Sequence, residues 1–277
     1  MNVEYLARLF SLADKVAVVT GGGGVLCGSM CRAMAQAGAK VVVLDLSETA
    51  AKKVAGDIRA AGGLAIPWRA DSLDRGSLEK VCEGMLKKFS RVDILITGAG
   101  GNNPQATTSP DLSFFDLPLD AFQWVFKLNF IATLLASQVF GKVMAKQGEG
   151  VILNISSLTS LRSLTRIPAY SAAKAAVSNF TQWLAVHFSQ NYSPKIRVNA
   201  LAPGFFLTEQ NRFLLTEKET GNLTARGKSI IKHTPMSRFG SPEDLIGAVL
   251  WLLSPAAEFV HGAVIPIDGG FSAYSGV

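Results

Sequence analysis

VAVVTGGGGVLCG, residues 16–28, decides the fold. Val16 to Thr20 is a short run rich in β-branched residues, the length of one buried strand, and it stops at four consecutive glycines before a helical pattern begins. A strand that turns into a helix brings free backbone N–H groups and the positive end of a helix dipole to one point. Gly21 to Gly24 remove every Cβ from the turn, which permits positive φ and close approach. Four glycines carry an entropic cost that a merely tight turn, the alternative reading, does not require. The stretch reads as a cradle for a phosphate.

Outward from this turn the same alternation repeats. Strand-like runs at 41–45, 65–70, 93–97, 151–155, 196–201 and 264–267 are separated by helical patterns at about 48–61, up to 89, 119–145, 170–189 and 242–253. Continuous apolar strands joined by helices predict a parallel sheet buried on both faces. With right-handed crossovers this is an α/β fold, a single-domain Rossmann-type doubly wound parallel sheet of about seven strands, with ligands at the strands' carboxyl ends. No linker or internal repeat divides the chain. The expected layout is an N-terminal extension over 1–13 and one domain over 14–277. Two long loops, 101–118 and 205–238, interrupt the rhythm, and loops of this length in a compact domain are usually functional. The second is a candidate substrate lid.

Composition excludes several classes. With 48% hydrophobic and 17% charged residues, the 277-residue chain is expected to be globular and soluble. Its apolar runs break before the roughly 20 residues of a membrane span, and residues 1–15 lack the pattern of a secretory signal. The expected location is the cytoplasm. The net charge of +6 is scattered, without a basic stripe interleaved with aromatics, so a small anionic ligand is expected rather than nucleic acid. Cys27, Cys31 and Cys82 read as buried thiols, with no ligand cluster for a metal.

Asp45 ends the second strand-like run, about 20 residues past the glycine turn. A carboxylate there accepts both ribose hydroxyls of NAD(H) and repels the 2′-phosphate of NADP; Ser47 is better placed than Asp45 to cap the following helix. In PAYSAAKAAV, Tyr170 and Lys174 stand at i, i+4 on one helical face, where an ammonium favours the phenolate and lowers the Tyr170 pKa. Tyr170 becomes a general acid/base candidate, and Ser157, ending NISS, a hydroxyl that holds the reacting oxygen.

Thr20-Gly21, Asp45, Ala99-Gly100, Asn129, Ser157, Tyr170, Lys174 and Pro203-Gly204 occur in the order and spacing of the short-chain dehydrogenase/reductase family. The resemblance spans about residues 14–272. It implies that Tyr170 is the proton donor, Ser157 polarises the carbonyl, and Lys174 holds the nicotinamide ribose and lowers the Tyr170 pKa. Asn129 would hold a water in a proton relay. The resemblance further assigns Gly21, Gly24, Leu26, Asp45, Leu46, Asp71, Ser72, Ala99, Gly100, Pro203, Gly204, Phe206 and Thr208 to the cofactor. Two departures stand out. The family turn T-G-x-x-x-G-x-G places Val25 and Cys27 at its later glycines, with Gly24 and Gly28 displaced by one residue, and the usual NNAG reads Thr97-Gly98-Ala99-Gly100.

TGGGGVL, GAGGNNP and APGFFLTEQNR are similar to the family's bacterial D-mannonate oxidoreductase (fructuronate reductase) branch, which implies a sugar-acid substrate. Arg162 and Arg166 lie between Ser157 and Tyr170, and Asn102, Asn103, Gln210, Asn211 and Arg212 in the flanking loops. Guanidinium groups suit a carboxylate and amides suit sugar hydroxyls, although either arginine could instead bridge subunits or face water. Gluconate 5-dehydrogenase and 3-oxoacyl-carrier-protein reductase are alternative activities, and a dinucleotide-sensing scaffold the non-enzyme alternative. Phe122, Trp124, Phe126, Phe180, Trp183 and Phe188 exceed what one sheet face absorbs, which with the resemblance implies a homo-oligomer, a dimer of dimers.

Overall fold

The computed structural model describes residues 3–208, 212–217 and 220–276. Its centre is one sheet of seven strands: β1 (Val16–Thr20), β2 (Lys40–Asp45), β3 (Leu64–Arg69), β4 (Ile94–Thr97), β5 (Gly150–Ile155), β6 (Ile196–Pro203) and β7 (Val264–Ile267). The spatial order is β3-β2-β1-β4-β5-β6-β7, and every pairing is parallel. The expected fold class holds. Chain direction of travel across the sheet reverses between β1 and β4, and this switch point opens a crevice at their carboxyl ends.

Every residue of β1 is buried, as parallel pairing between two helical layers demands. Ala17 and Val19 enter one core with helices α2 (Val25–Gln36), α3 (Glu48–Ala60) and α10 (Ile246–Leu253). Val16 and Val18 enter the other with α4 (Arg75–Phe89), α6 (Ala132–Gln147) and α7 (Pro168–Asn191). The two-residue strand period thus sends alternate side chains to opposite layers. Ser47 caps α3 by accepting from the Ala50 N–H at 3.3 Å, leaving the Asp45 carboxylate for other work.

An unforeseen helix, α1 (Val3–Phe10), precedes the sheet and buries none of its residues. The long helix of the middle region has a break in its register. α5 (Leu119–Phe126) passes into α6 through a π-type turn over Lys127–Ile131. Continuous over Leu119–Gln147, these 29 residues are long and apolar enough to cross a membrane, with mean hydropathy 1.4, but half of that window is buried inside the fold. Ala136, Val139, Phe140 and Met144 pack there against Leu95 and Ile152. Two shorter helices, α8 (Arg212–Leu215) and α9 (Ala225–His233), lie in the expected lid region.

Candidate active site

The glycine turn is closed by its own backbone. Gly21 has φ +65°, and a Cβ there would come within 2.9 Å of the Gly98 and Ala99 backbone. A Cβ on Gly23 would meet the Ala50 Cβ at 2.6 Å. The Gly22 N–H donates to the Leu44 carbonyl at 3.0 Å, and the Gly23 N–H to Asp45 Oδ2 at 3.0 Å. Asp45 Oδ1 accepts from the Ser47 N–H at 2.9 Å. The carboxylate is therefore aimed at the turn from the end of β2. Gly24 is the N-cap of α2 and supplies no capping side chain, so first-turn amides at Val25 and Leu26 face the crevice end of the helix. A cradle closed to any Cβ, lined by helix-terminal amides and flanked by a carboxylate, fits the pyrophosphate and ribose of a dinucleotide.

The two departures from the family pattern prove to be one. The Cys27 side chain fills the space beside Gly98, where an added Cβ would lie 2.2 Å from its sulfur. Sulfur at 27 and hydrogen at 98 are complementary. Gly28 does the close packing instead, with an added Cβ only 3.2 Å from Val54 of α3. The bracing expected from asparagines is done by two threonines. Thr20 Oγ1 accepts from the Gly98 and Ala99 N–H groups at 3.1 and 3.2 Å, and Thr97 Oγ1 donates to Asn154 Oδ1 at 2.7 Å. Gly98→Ala is expected to cost about 1–3 kcal/mol by overpacking. Combined with Cys27→Gly it should cost less than the two single changes together, by a coupling of about 1 kcal/mol. Chemical denaturation of the four proteins measures this, and strict additivity would contradict the complementarity.

Ser157, Tyr170 and Lys174 converge at the carboxyl end of β5. Ser157 is buried and caps a short 3₁₀ turn, accepting from the Thr159 N–H at 3.2 Å. Tyr170, in the first turn of α7, packs against Ala106, Ala121 and Val125. Lys174 is 4% exposed; its Nζ donates to the Ile155 carbonyl at 2.8 Å and lies 5.6 Å from the Tyr170 ring centroid. Burial brings the ammonium down to about 8. Burial likewise pushes the Tyr170 phenol up, opposed by the Ser157 hydroxyl. This differs from the expected lowering by Lys174. Desolvation of the phenolate is the larger effect, and the Ser157 hydroxyl is what opposes it.

Asn129 sits inside the π-type turn and is fully buried. Its Nδ2 donates to the Gly101 and Val125 carbonyls at 2.7 and 2.8 Å, and its Oδ1 accepts from the Gly101 N–H at 3.2 Å. The side chain thus ties the helix to the loop after β4. A Cβ on Gly100 would meet Asn129 Oδ1 at 2.6 Å and Lys174 Nζ at 3.3 Å, so these groups crowd one point. π-type turns recur at functional sites.

Other expected cofactor positions are distributed around the same edge. Ala99 and Gly100 follow β4, and Leu46 is exposed beside Asp45. Ser72 is buried; Asp71 is exposed and accepts the Leu73 N–H at 2.8 Å. Pro203 ends β6, and Gly204 lies so close to Asp268 that a Cβ would come within 2.7 Å. The Phe206 ring is buried against Gly240 in the core, and Thr208 is half-buried.

The candidate substrate residues divide. Arg166 lines a cavity of about 300 Å³ with Leu164, Thr165, Phe205, Arg226, Ser229, Ile230, His233 and Phe271. Arg162 Nε instead donates to the Ser272 carbonyl at 2.8 Å, holding the C-terminal segment. The Asn102 amide donates to Thr107 Oγ1 at 3.0 Å, and Asn103 Oδ1 accepts the Gln105 N–H at 2.9 Å, so both shape their own loop. Arg212 is exposed at the start of α8. Gln210 and Asn211 lie outside the described residues. Arg226 was missed by sequence reasoning, since its position on α9 carries no motif.

Comparisons with known proteins agree with this geometry. The family model for enoyl-(acyl carrier protein) reductase matches residues 26–272. An uncharacterized oxidoreductase of Bacillus subtilis strain 168, UxuB, is 49% identical over 276 residues, covering 96% of this chain and 98% of that protein. A crystal structure from Haemophilus influenza, provisionally named a D-mannonate oxidoreductase and containing NAD, is 44% identical with TM-score 0.91, covering 98% of this chain and all of that one. A gluconate 5-dehydrogenase from Burkholderia cenocepacia J2315, in complex with NADP and tartrate, is 28% identical with TM-score 0.86, covering 97% and 99%. The crevice at the β1/β4 switch point and the Ser157, Tyr170 and Lys174 group at its mouth thus sit in a chain that belongs to the short-chain dehydrogenase/reductase family, an oxidoreductase acting on CH–OH groups with a nicotinamide dinucleotide.

Proposed function

We propose that the chain interconverts keto and hydroxy forms of a sugar acid with NAD(H), its substrate pair being D-fructuronate and D-mannonate. The observation that carries this reading is the cavity beside the catalytic wall. Arg166, Arg226, Ser229, His233 and Thr165 line it, and no Asp or Glu among the described residues does. Such a lining offers a hydroxylated anion two guanidinium groups and several hydrogen-bonding side chains. The NAD-containing Haemophilus relative supports the same substrate.

The cofactor, when bound, supplies or accepts the hydride. Gly21, Gly24 and the first-turn amides of α2 would hold its pyrophosphate, Asp45 its adenine-side ribose, and Lys174 its nicotinamide ribose. In reduction, Ser157 hydrogen-bonds the carbonyl oxygen and Tyr170 delivers a proton to it. The raised phenol is suited to that task, because it holds its proton at neutral pH until the reacting oxygen demands it. Asn129 fixes the loop after β4 against Lys174, and a water held there would reload the relay.

The rings of Phe126, Phe130, Phe180, Trp183 and His187 form a row along α5, the π-type turn and α7. Trp183 is 56% exposed, which supports a subunit interface on this face. The substrate reading is tested by NADH-linked reduction of D-fructuronate, which should exceed that of 5-keto-D-gluconate and of an acetoacetyl thioester.

A further inference from the structure

We infer that Arg226, on α9, pairs with Arg166 as a two-guanidinium clamp for the substrate carboxylate, so that charge recognition is shared between the catalytic wall and the lid segment. The identity of the carboxylate rests on the sugar-acid reading; the clamp itself rests on the arrangement of residues. α9 presents Arg226, Ser229, Ile230 and His233 at i, i+3, i+4 and i+7, one continuous helical face, across the cavity from Leu164, Thr165 and Arg166. Two arginines therefore line one small cavity, and among the described residues neither has an acidic partner. Like charges held together without a counter-ion are unfavourable, and an anion between them relieves the repulsion. Burial first, and the Arg166 charge second, depress the Arg226 guanidinium, in keeping with that field.

Backbone geometry commits Arg166 to its position. It has φ +76°, a conformation that side-chain-bearing residues seldom adopt, and it is held there by the Thr108 N–H donating to its carbonyl at 2.9 Å. The next two residues, Ile167 and Pro168, open α7, which places Tyr170 in its first turn, four residues beyond Arg166. Phe205 of the same cavity directly follows Gly204 at the end of β6. A carboxylate held by Arg166 thus lies on the same edge of the sheet as the reacting oxygen. Arg226 belongs to α9, so a carboxylate held between the two guanidinium groups ties α9 to the segment that carries Arg166. A neutral polyol engages the cavity without this tie.

The test is calorimetric titration of NADH-saturated protein with D-mannonate, D-mannitol and tartrate; none of these alcohols can react with the reduced cofactor. Arg226→Met should weaken D-mannonate about 10- to 100-fold, the loss expected for a charged hydrogen bond, and collapse the preference for mannonate over mannitol. Arg226→Lys should fall between, because it keeps the charge and loses the fork. NADH affinity should not change in either. Unchanged mannonate affinity in Arg226→Met, or an equal loss for mannitol, would overturn the clamp while leaving the sugar-acid reading intact. Tartrate binding that depends on Arg226 in a protein indifferent to mannonate would uphold the clamp and overturn that reading. Tartrate or mannonate binding indifferent to Arg226 would overturn the clamp whichever anion is preferred.

Discussion

Tyr170→Phe should lower kcat/KM by about 10²–10⁴-fold, the range for losing a positioned general acid, with NADH affinity unchanged. The ring packs against Ala106, Ala121 and Val125, contacts that phenylalanine keeps, so the fold should stand. What disappears is the proton. Ser157 can still hydrogen-bond a carbonyl oxygen, but Lys174 cannot replace the acid. Its ammonium donates to the Ile155 carbonyl, 2.8 Å away, and lies 5.6 Å from the centre of the ring. Initial rates and a fluorescence titration with NADH separate the two effects. A variant with wild-type turnover would refute the role assigned to Tyr170.

Asp45→Ala should raise kcat/KM with NADPH about 10- to 100-fold, by removing a like charge from the 2′-phosphate, and lower it with NADH. Both directions follow from the contacts. Oδ2 of Asp45 accepts the Gly23 N–H at 3.0 Å, so its loss also loosens the turn that the dinucleotide uses. Arg69 stands opposite Asp45 in the β2–β3 register, so removing the carboxylate leaves a basic residue at the neighbouring strand position. Steady-state kinetics with each cofactor read the switch. An unchanged preference would place the ribose elsewhere.

The sheet was legible because its inner strands, buried on both sides, are apolar almost throughout, and five of the seven strands end at or beside a motif residue: Thr20, Asp45, Thr97, Ile155 or Pro203. Ser157, Tyr170 and Lys174 were legible from spacing. The π-type turn at Asn129 was not, because one extra residue in a 29-residue apolar helix leaves the hydrophobic pattern almost unaltered. Cys27 and Gly98 looked like two separate departures, since nothing local connects residues on α2 and after β4. Only the packed sheet brings the sulfur into the space left by the missing side chain. The Tyr170 phenol also defied the spacing argument. An i, i+4 lysine predicts attraction, while burial of both groups sets the direction. Arg226 illustrates the same limit, for its meaning comes from Arg166 across a cavity that exists only after folding.

The most direct measurement is the initial rate of D-fructuronate reduction with NADH, beside 5-keto-D-gluconate and an acetoacetyl thioester, each repeated with NADPH. The account predicts fast turnover for D-fructuronate with NADH, with the other two carbonyl compounds and NADPH far slower. Preferred reduction of the thioester, or equal rates with NADPH, would contradict it.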